Sequence, residues 1–235
     1  MLEGASLFLD FDGTLVDLID QPEQVVADDV LRDLLTALDT MLGGRLAVVS
    51  GRSLAQLDAM LGPVAQSIAL SGSHGSEHRW RGIDAQPHRP AALDEAAARL
   101  RPFAAKNTGM LVEEKSFGIA LHYRKCPEAE QAARKKAWDV ATELGLYLQD
   151  GKMMVELRVA GGDKGTAVRR LMARPPMRGT RPIFFGDDRT DEAAFDIVAE
   201  LGGFGILVGP ARLTAATFGL ANPSAVREWL TEHLA

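Results

Sequence analysis

Two clusters of acidic residues close apolar runs in this chain. Asp10-Phe-Asp12-Gly-Thr14 follows Ser6-Leu-Phe-Leu, and Gly186-Asp-Asp188-Arg-Thr-Asp191 follows Pro182-Ile-Phe-Phe185. In open α/β sheets, ligands bind just outside the carboxyl ends of the strands, so both clusters sit where chemistry is done. Two carboxylates spaced as Asp10 and Asp12 are can offer a nucleophile and hold a hard cation. A tight Asp-Gly turn is the plainer alternative for the first cluster. For the second, acids at a helix N-terminus account for Asp191 and Glu192. They account poorly for Asp187 and Asp188, which precede the helix and crowd like charges together. Such crowding is costly without a cation, and a divalent metal resolves it.

Two smaller pieces complete the set. Ser50-Gly51-Arg52 follows a third apolar run, and Asp163-Lys164-Gly165 opens a helical pattern. Alone, a serine there is an ordinary cap and a single lysine an ordinary solvated charge. Together, and in this order, the four pieces supply a nucleophile, a metal, a hydroxyl donor and a cation for phosphate oxygens. Those are the needs of phosphoryl transfer.

The elements that must position these residues alternate between strand and helix. Ser6–Phe11, Arg45–Val49 and Ile68–Leu70 read as short buried strands. Leu31, Leu34, Leu35, Leu38 and Leu42 recur at helical spacing, which predicts a helix over Asp28–Met41. Ser53 with Gln56 forms a capping-box pattern that opens the next helix. This alternation is the signature of βαβ units around a parallel sheet. Between Gly72 and Pro90 the pattern dissolves into Gly, His, Arg and Pro, as at a boundary. A different order follows: a helix over Ala91–Lys106, strands near Met110–Lys115 and Gly118–Arg124, a helix over Glu128–Leu144, and strands near Leu146–Gln149 and Met153–Arg158. Helix–hairpin–helix–hairpin implies a small α+β unit with an antiparallel sheet. The parallel pattern resumes with a helix from Asp163 to Met172, a strand over Pro182–Phe185, a helix from Thr190, a strand over Phe204–Val208, and a terminal helix capped by Asn222-Pro223.

Within the α+β unit, Glu113 and Lys115 share one strand face, His122 and Arg124 the next, and Glu156 and Arg158 the last. Leu121, Tyr123, Val155 and Leu157 point the other way. A solvated face is the ordinary fate of such a row. Acids and bases paired at every position also suit a sugar, whose hydroxyls want both donors and acceptors.

Composition sets outer limits. The chain has 235 residues, 46% of them hydrophobic and 25% charged, with a net charge of −6. That is enough apolar material for a proper core and no basic face for a nucleic-acid backbone. One cysteine, Cys126, excludes an intramolecular disulfide and a zinc-type Cys spacing. The Met1–Ser6 start has no basic segment leading into a long apolar run, and no apolar stretch approaches the ~20 residues of a membrane span. No signal peptide, no membrane partner and a cytoplasmic location are expected.

The four pieces resemble the four motifs of the haloacid dehalogenase superfamily. The resemblance implies a Rossmann-type core with a parallel sheet flanked by helices, carrying an inserted α+β cap with an antiparallel sheet. It implies that Asp10 is a nucleophile forming an aspartyl-phosphate, and that Asp12 is the general acid/base. Ser50, Gly51 and Lys164 would bind phosphate. Mg2+ would be held by Asp10, the Asp12 carbonyl and Asp187, with Asp188 and Asp191 acting on its waters. An acid at Asp12 sets the chain apart from the superfamily's dehalogenases and transport ATPases. The wording of Val112-Glu-Glu-Lys115, Leu121-His-Tyr-Arg124, Gly151-Lys152 and Val155-Glu-Leu-Arg158 resembles the cap of trehalose-6-phosphate phosphatases, and so do Ser50-Gly-Arg52, His74-Gly75 with Glu77, and Thr190-Asp-Glu192. Val159 departs from the proline common there. The implied division is a core of 1–89 and 161–235 around a cap of 90–160. The implied substrate is trehalose 6-phosphate, with Arg52, His74, Glu77, Glu113, Lys115, His122, Arg124, Glu156 and Arg158 on the substrate and a synthase partner left open. Phosphatases for sucrose phosphate or mannosyl-phosphoglycerate, a phosphomutase, and a silent synthase-binding regulator are the rivals.

Overall fold

The computed structural model describes residues 2–18, 25–80, 83–85, 88–151, 153–159 and 162–234. Lys152 and the expected boundary at 160–161 lie outside them. The chain forms two compact units, Met1–Gln86 with Gly162–Ala235, and Pro87–Gly161.

The first unit begins with β1 (Ala5–Leu9), α1 (Asp29–Leu42), β2 (Leu46–Val49), α2 (Leu54–Leu61), β3 (Ala69–Gly72), β4 (Glu77–Trp80) and β5 (Ile83–Ala85). The Asp28 carboxylate accepts the Leu31 amide at 2.7 Å and starts α1, and its leucine stripe is buried as the spacing predicts. The Ser53–Gln56 capping box at α2 forms in both directions. Residues 73–85 correct the expectation of a plain boundary. Here β4 and β5 extend the sheet antiparallel to β3. Their residues carry no alternation because β4 buries a carboxylate, Glu77, as well as Trp80.

In the second unit, α3 (Ala91–Ala105) and α4 (Glu130–Leu144) pack on one face of β6 (Leu111–Lys115), β7 (Gly118–His122), β8 (Tyr147–Gly151) and β9 (Met154–Arg158). The sheet order is β6-β7-β9-β8, antiparallel throughout. Ile119, Leu121, Val155 and Leu157 meet Leu93, Leu100 and Val140 in its core.

The first unit then continues with α5 (Lys164–Met172), β10 (Arg181–Gly186), α6 (Glu192–Glu200), β11 (Phe204–Val208), β12 (Phe218–Leu220) and α7 (Pro223–Glu232). Its eight strands run in the order β12-β11-β10-β1-β2-β3-β4-β5, parallel from β12 to β3. Both sheet faces are covered. Leu7, Leu9 and Phe185 pack with Leu31, Leu35 and Leu230, while Phe8 and Phe184 pack with Val168 and Phe195. Strand order reverses at β1, where β2 and β3 lie on one side and β10 and β11 on the other. Leu9 stands opposite both Phe185 and Val48, so Asp10, Asp187 and Ser50 leave neighbouring strands side by side. No helix among the described residues is long and apolar enough to cross a membrane.

Candidate active site

Asp10 is the first residue beyond β1 and is only 3% exposed. Its amide donates to the Phe185 carbonyl at 2.9 Å, tying it to β10. Lys164, the first residue of α5, brings Nζ to 2.7 Å from Asp10 Oδ1 and to 2.7 Å from Asp191 Oδ1. All three side chains are buried, so this cation is committed to two carboxylates. The other Asp191 oxygen accepts the amides of Asp187 at 2.9 Å and Asp188 at 3.0 Å, which fixes the turn after β10. The Thr14 hydroxyl donates to Asp10 Oδ2 at 3.4 Å. Gly13 passes so close to Asp187, with φ 78°, that a Cβ there would lie 2.1 Å from its Oδ2. That approach is why the first cluster carries glycine.

One carboxylate oxygen each from Asp10, Asp187 and Asp191 lie within 4.8 Å of one another. Three acids this close, with burial, shift their protonation. Burial pushes the Asp10 carboxyl well above its ordinary value against the pull of Lys164, and Asp191 and Asp187 push it further. Burial, then Asp188 and Asp191, raise Asp187 to about 7. Burial also raises Asp191, against Lys164. Enclosure by protein works against the Asp188 charge too, but Lys164 and two donors from Thr190 outweigh it and hold that group low. Burial opposes the Lys164 charge as well, and Asp10 and Asp191 together more than reverse it, so the ammonium is held above the ordinary lysine value.

An all-oxygen set of three carboxylates, whose charge the single Lys164 ammonium only partly offsets, fits a hard divalent cation such as Mg2+. Asp187 protonates near 7 in the fold and at an ordinary 3.8 when unfolded. The folded chain therefore holds an extra proton between those values and loses stability as pH rises through that window. A bound cation removes that loss. Mg2+ is expected to raise the melting temperature more at pH 8 than at pH 5, and equal shifts at both would speak against these carboxylates as its site.

The Asp188 and Asp12 carboxylates stand outside the three-acid cluster. Asp188 turns away to cap its own turn, accepting from the Thr190 amide at 2.8 Å and hydroxyl at 2.6 Å. The Asp12 carboxylate is gripped by Arg52, whose Nε and Nη2 donate to its two oxygens at 2.6 Å each. Ser50 is buried and its Oγ accepts the Arg52 amide at 3.1 Å. The His74 imidazole covers Gly51, where a Cβ would meet Nε2 at 2.6 Å. Ser73 and His74 both adopt left-handed φ, 47° and 52°. Non-glycine residues pay strain energy there, which functional sites often store. The turn is stitched down by Ser73 N to Arg52 O at 2.7 Å and His74 N to Ser50 O at 3.0 Å. Glu77 completes the stitching from 5% exposure, accepting the Ser73 hydroxyl at 2.5 Å and the Leu54 amide at 3.3 Å. Its carboxylate thus serves the turn and the start of α2.

In the α+β unit, the face away from the helices carries rows set by register: Glu113 beside Ala120, Glu156 and Gln149, and Lys115 beside Gly118, Arg158 and Tyr147. Lys115 pairs with the buried Glu156 at 2.7 Å, His122 meets Glu113 at 2.8 Å, and Arg158 donates to Gln149. Arg124 is placed differently from expectation. Strand β7 ends at His122, and Arg124 is exposed in the turn beyond it. Arg212 was missed as a site neighbour, because it lies 24 residues beyond the Asp188 carbonyl it binds.

The family described as Trehalose-phosphatase matches residues 8–224. The chain is 37% identical over 227 residues to the trehalose-6-phosphate phosphatase of Escherichia coli K12, spanning 95% of this chain and 84% of that protein. It is 38% identical over 219 residues to a probable trehalose-phosphate phosphatase of Sinorhizobium fredii, spanning 89% and 79%. Among solved structures, a trehalose-6-phosphate phosphatase related protein matches with a TM-score of 0.81 at 28% identity, covering 97% of this chain and 96% of the other.

Proposed function

The chain belongs to the trehalose-phosphatase family, within the haloacid dehalogenase superfamily, and from that membership we propose that it hydrolyses trehalose 6-phosphate to trehalose and phosphate, with Mg2+ and through a covalent step on Asp10. The observation that carries the reading is Asp10 itself, buried at a strand end beside Lys164 and two further carboxylates.

Asp10, Asp187 and Asp191 would hold Mg2+, together with the Asp12 carbonyl, and the ion would neutralise and orient the phosphate. An Asp10 carboxylate oxygen attacks phosphorus as the bond to the sugar oxygen breaks. Lys164 holds the carboxylate in one rotamer and offsets the negative charge that gathers there. Asp12 gives its proton to the departing sugar oxygen, then takes one from the water that cleaves the aspartyl-phosphate. Arg52 donates to both Asp12 oxygens and so holds that carboxylate in one orientation, beside the Ser50-Gly51 turn. Ser50 and the Gly51 backbone supply further donors, with His74 held against them by the Glu77-anchored turn.

The paired charges of the α+β unit suit the hydroxyls of a disaccharide. Lys115 and Glu156 support the sugar reading, since each satisfies the other until hydroxyls compete for both. Replacing Lys115 by Ala is expected to lower kcat/KM for trehalose 6-phosphate by ~10- to 1000-fold, about 1.4–4 kcal/mol. A small aryl phosphate, which lacks those hydroxyls, keeps its rate. Equal losses on both substrates would assign Lys115 to core chemistry or folding, and no loss on either would leave the face merely solvated.

A further inference from the structure

The segment between β11 and β12 has no part in the chemistry above, yet it is fastened to the turn that carries Asp187 and Asp191. Arg212 donates from Nη2 to the Asp188 carbonyl at 2.6 Å, and from Nη1 to the Glu192 carboxylate and the Leu213 carbonyl. Glu192, the first residue of α6, uses its other oxygen to accept the Ala215 amide at 2.8 Å and the Thr214 hydroxyl at 3.2 Å. Thr214 Oγ1 in turn accepts the Ala216 amide at 3.1 Å. The ionic pair is partly enclosed, with side chains 25% and 29% exposed, so it is more than a loose surface contact.

We propose that Arg212 is a positioning residue for the cation site, gripping the main chain of the Asp187–Asp191 turn so that its carboxylates stay convergent before the ion arrives. This rests on the reading of Asp10, Asp187 and Asp191 as the Mg2+ site. The turn needs holding because Asp187, Asp188 and Asp191 repel one another within five consecutive residues. A bond to the Asp188 carbonyl restrains the backbone without engaging any of the turn's carboxylates. Glu192 keeps the guanidinium in place, and Ala215 and Thr214 keep Glu192 in place. Losing a support outside the ligand set lowers metal affinity or activity by ~10- to 100-fold, and one that touches only main chain beside the ligands is expected to act through affinity.

The test is the Mg2+ dissociation constant of substrate-free protein by titration calorimetry, paired with kcat at saturating Mg2+. Arg212→Ala is expected to weaken Mg2+ binding by about 10-fold while saturating Mg2+ restores kcat to within about twofold of the parent. Arg212→Lys keeps the charge but cannot span both acceptors, and its affinity is expected between parent and Arg212→Ala. Parent-like affinity in folded Arg212→Ala, or in Arg212→Lys should the alanine variant fail to fold, would overturn the proposal. So would a fall in kcat at saturating Mg2+ with affinity unchanged, or a lowered melting temperature alone. Absence of Mg2+ binding by the parent would instead refute the cation site itself.

Discussion

Asp10→Asn is expected to reduce phosphate release from trehalose 6-phosphate below ~1% of the parent rate, a loss of about 3 kcal/mol or more of transition-state stabilisation. The amide is nearly isosteric and still accepts hydrogen bonds, but its oxygen is too weak a nucleophile to attack phosphorus. The fold is expected to survive the change. Asp10 is one of three crowded acids, so removing its charge relieves Asp187 and Asp191, and Lys164 keeps its 2.7 Å contact to Asp191. A melting temperature close to the parent's, measured with the rates, separates lost chemistry from lost structure. Turnover above ~1% in a well-folded sample would remove Asp10 from the nucleophile's role.

Lys164→Met is expected to fail in both respects. The ammonium is buried between Asp10 and Asp191, each within 2.7 Å. Methionine fills the space and leaves two buried carboxylates facing each other and Asp187. Breaking a buried pair by removing one partner costs about 3–5 kcal/mol. For a chain of this size that corresponds to a melting temperature lower by roughly 10 °C. The penalty belongs to the charged carboxylates, so it is largest at pH 8 without metal and shrinks toward pH 5, where they take up protons. Activity should fall at least ~100-fold with the charge at the nucleophile gone. A variant as stable as the parent at pH 8 would mean that the acids are already neutral and that Lys164 offsets nothing.

The core of the site was legible in the residues because its chemistry sits at ends of apolar strands. Asp10, Ser50 and Asp187 each follow a run whose burial on both sheet faces leaves no polar choice until the strand stops. The α1 stripe and the Ser53–Gln56 cap were legible for the same reason: both are set by neighbours within a few positions. What escaped was set partly by distant partners and partly by tight turns that no periodic pattern marks. Glu77 was legible only beside His74-Gly75 in the family resemblance; its bonds to the Ser73 turn and the start of α2, and the strand β4 around it, carry no periodic signal. Asp188 reads as acting on a cation's waters, and nothing in the residues signals that Thr190 engages one of its oxygens. Arg124 keeps the two-residue period of β7 in the sequence, but the strand turns away after His122. Arg52 and Asp12 stand 40 residues apart and Lys115 and Glu156 stand 41 apart, so no local spacing announces either pair.

The measurement that bears most directly on the whole reading is phosphate release across trehalose 6-phosphate, sucrose phosphate and mannosyl-phosphoglycerate, each with Mg2+ and with EDTA. Trehalose 6-phosphate is expected to give the highest kcat/KM, with release abolished by EDTA and restored by added Mg2+. Faster release from another of these substrates would overturn the substrate assignment. Undiminished release in EDTA would overturn the carboxylate cluster as a cation site, and no release from any of them would contradict a phosphatase altogether.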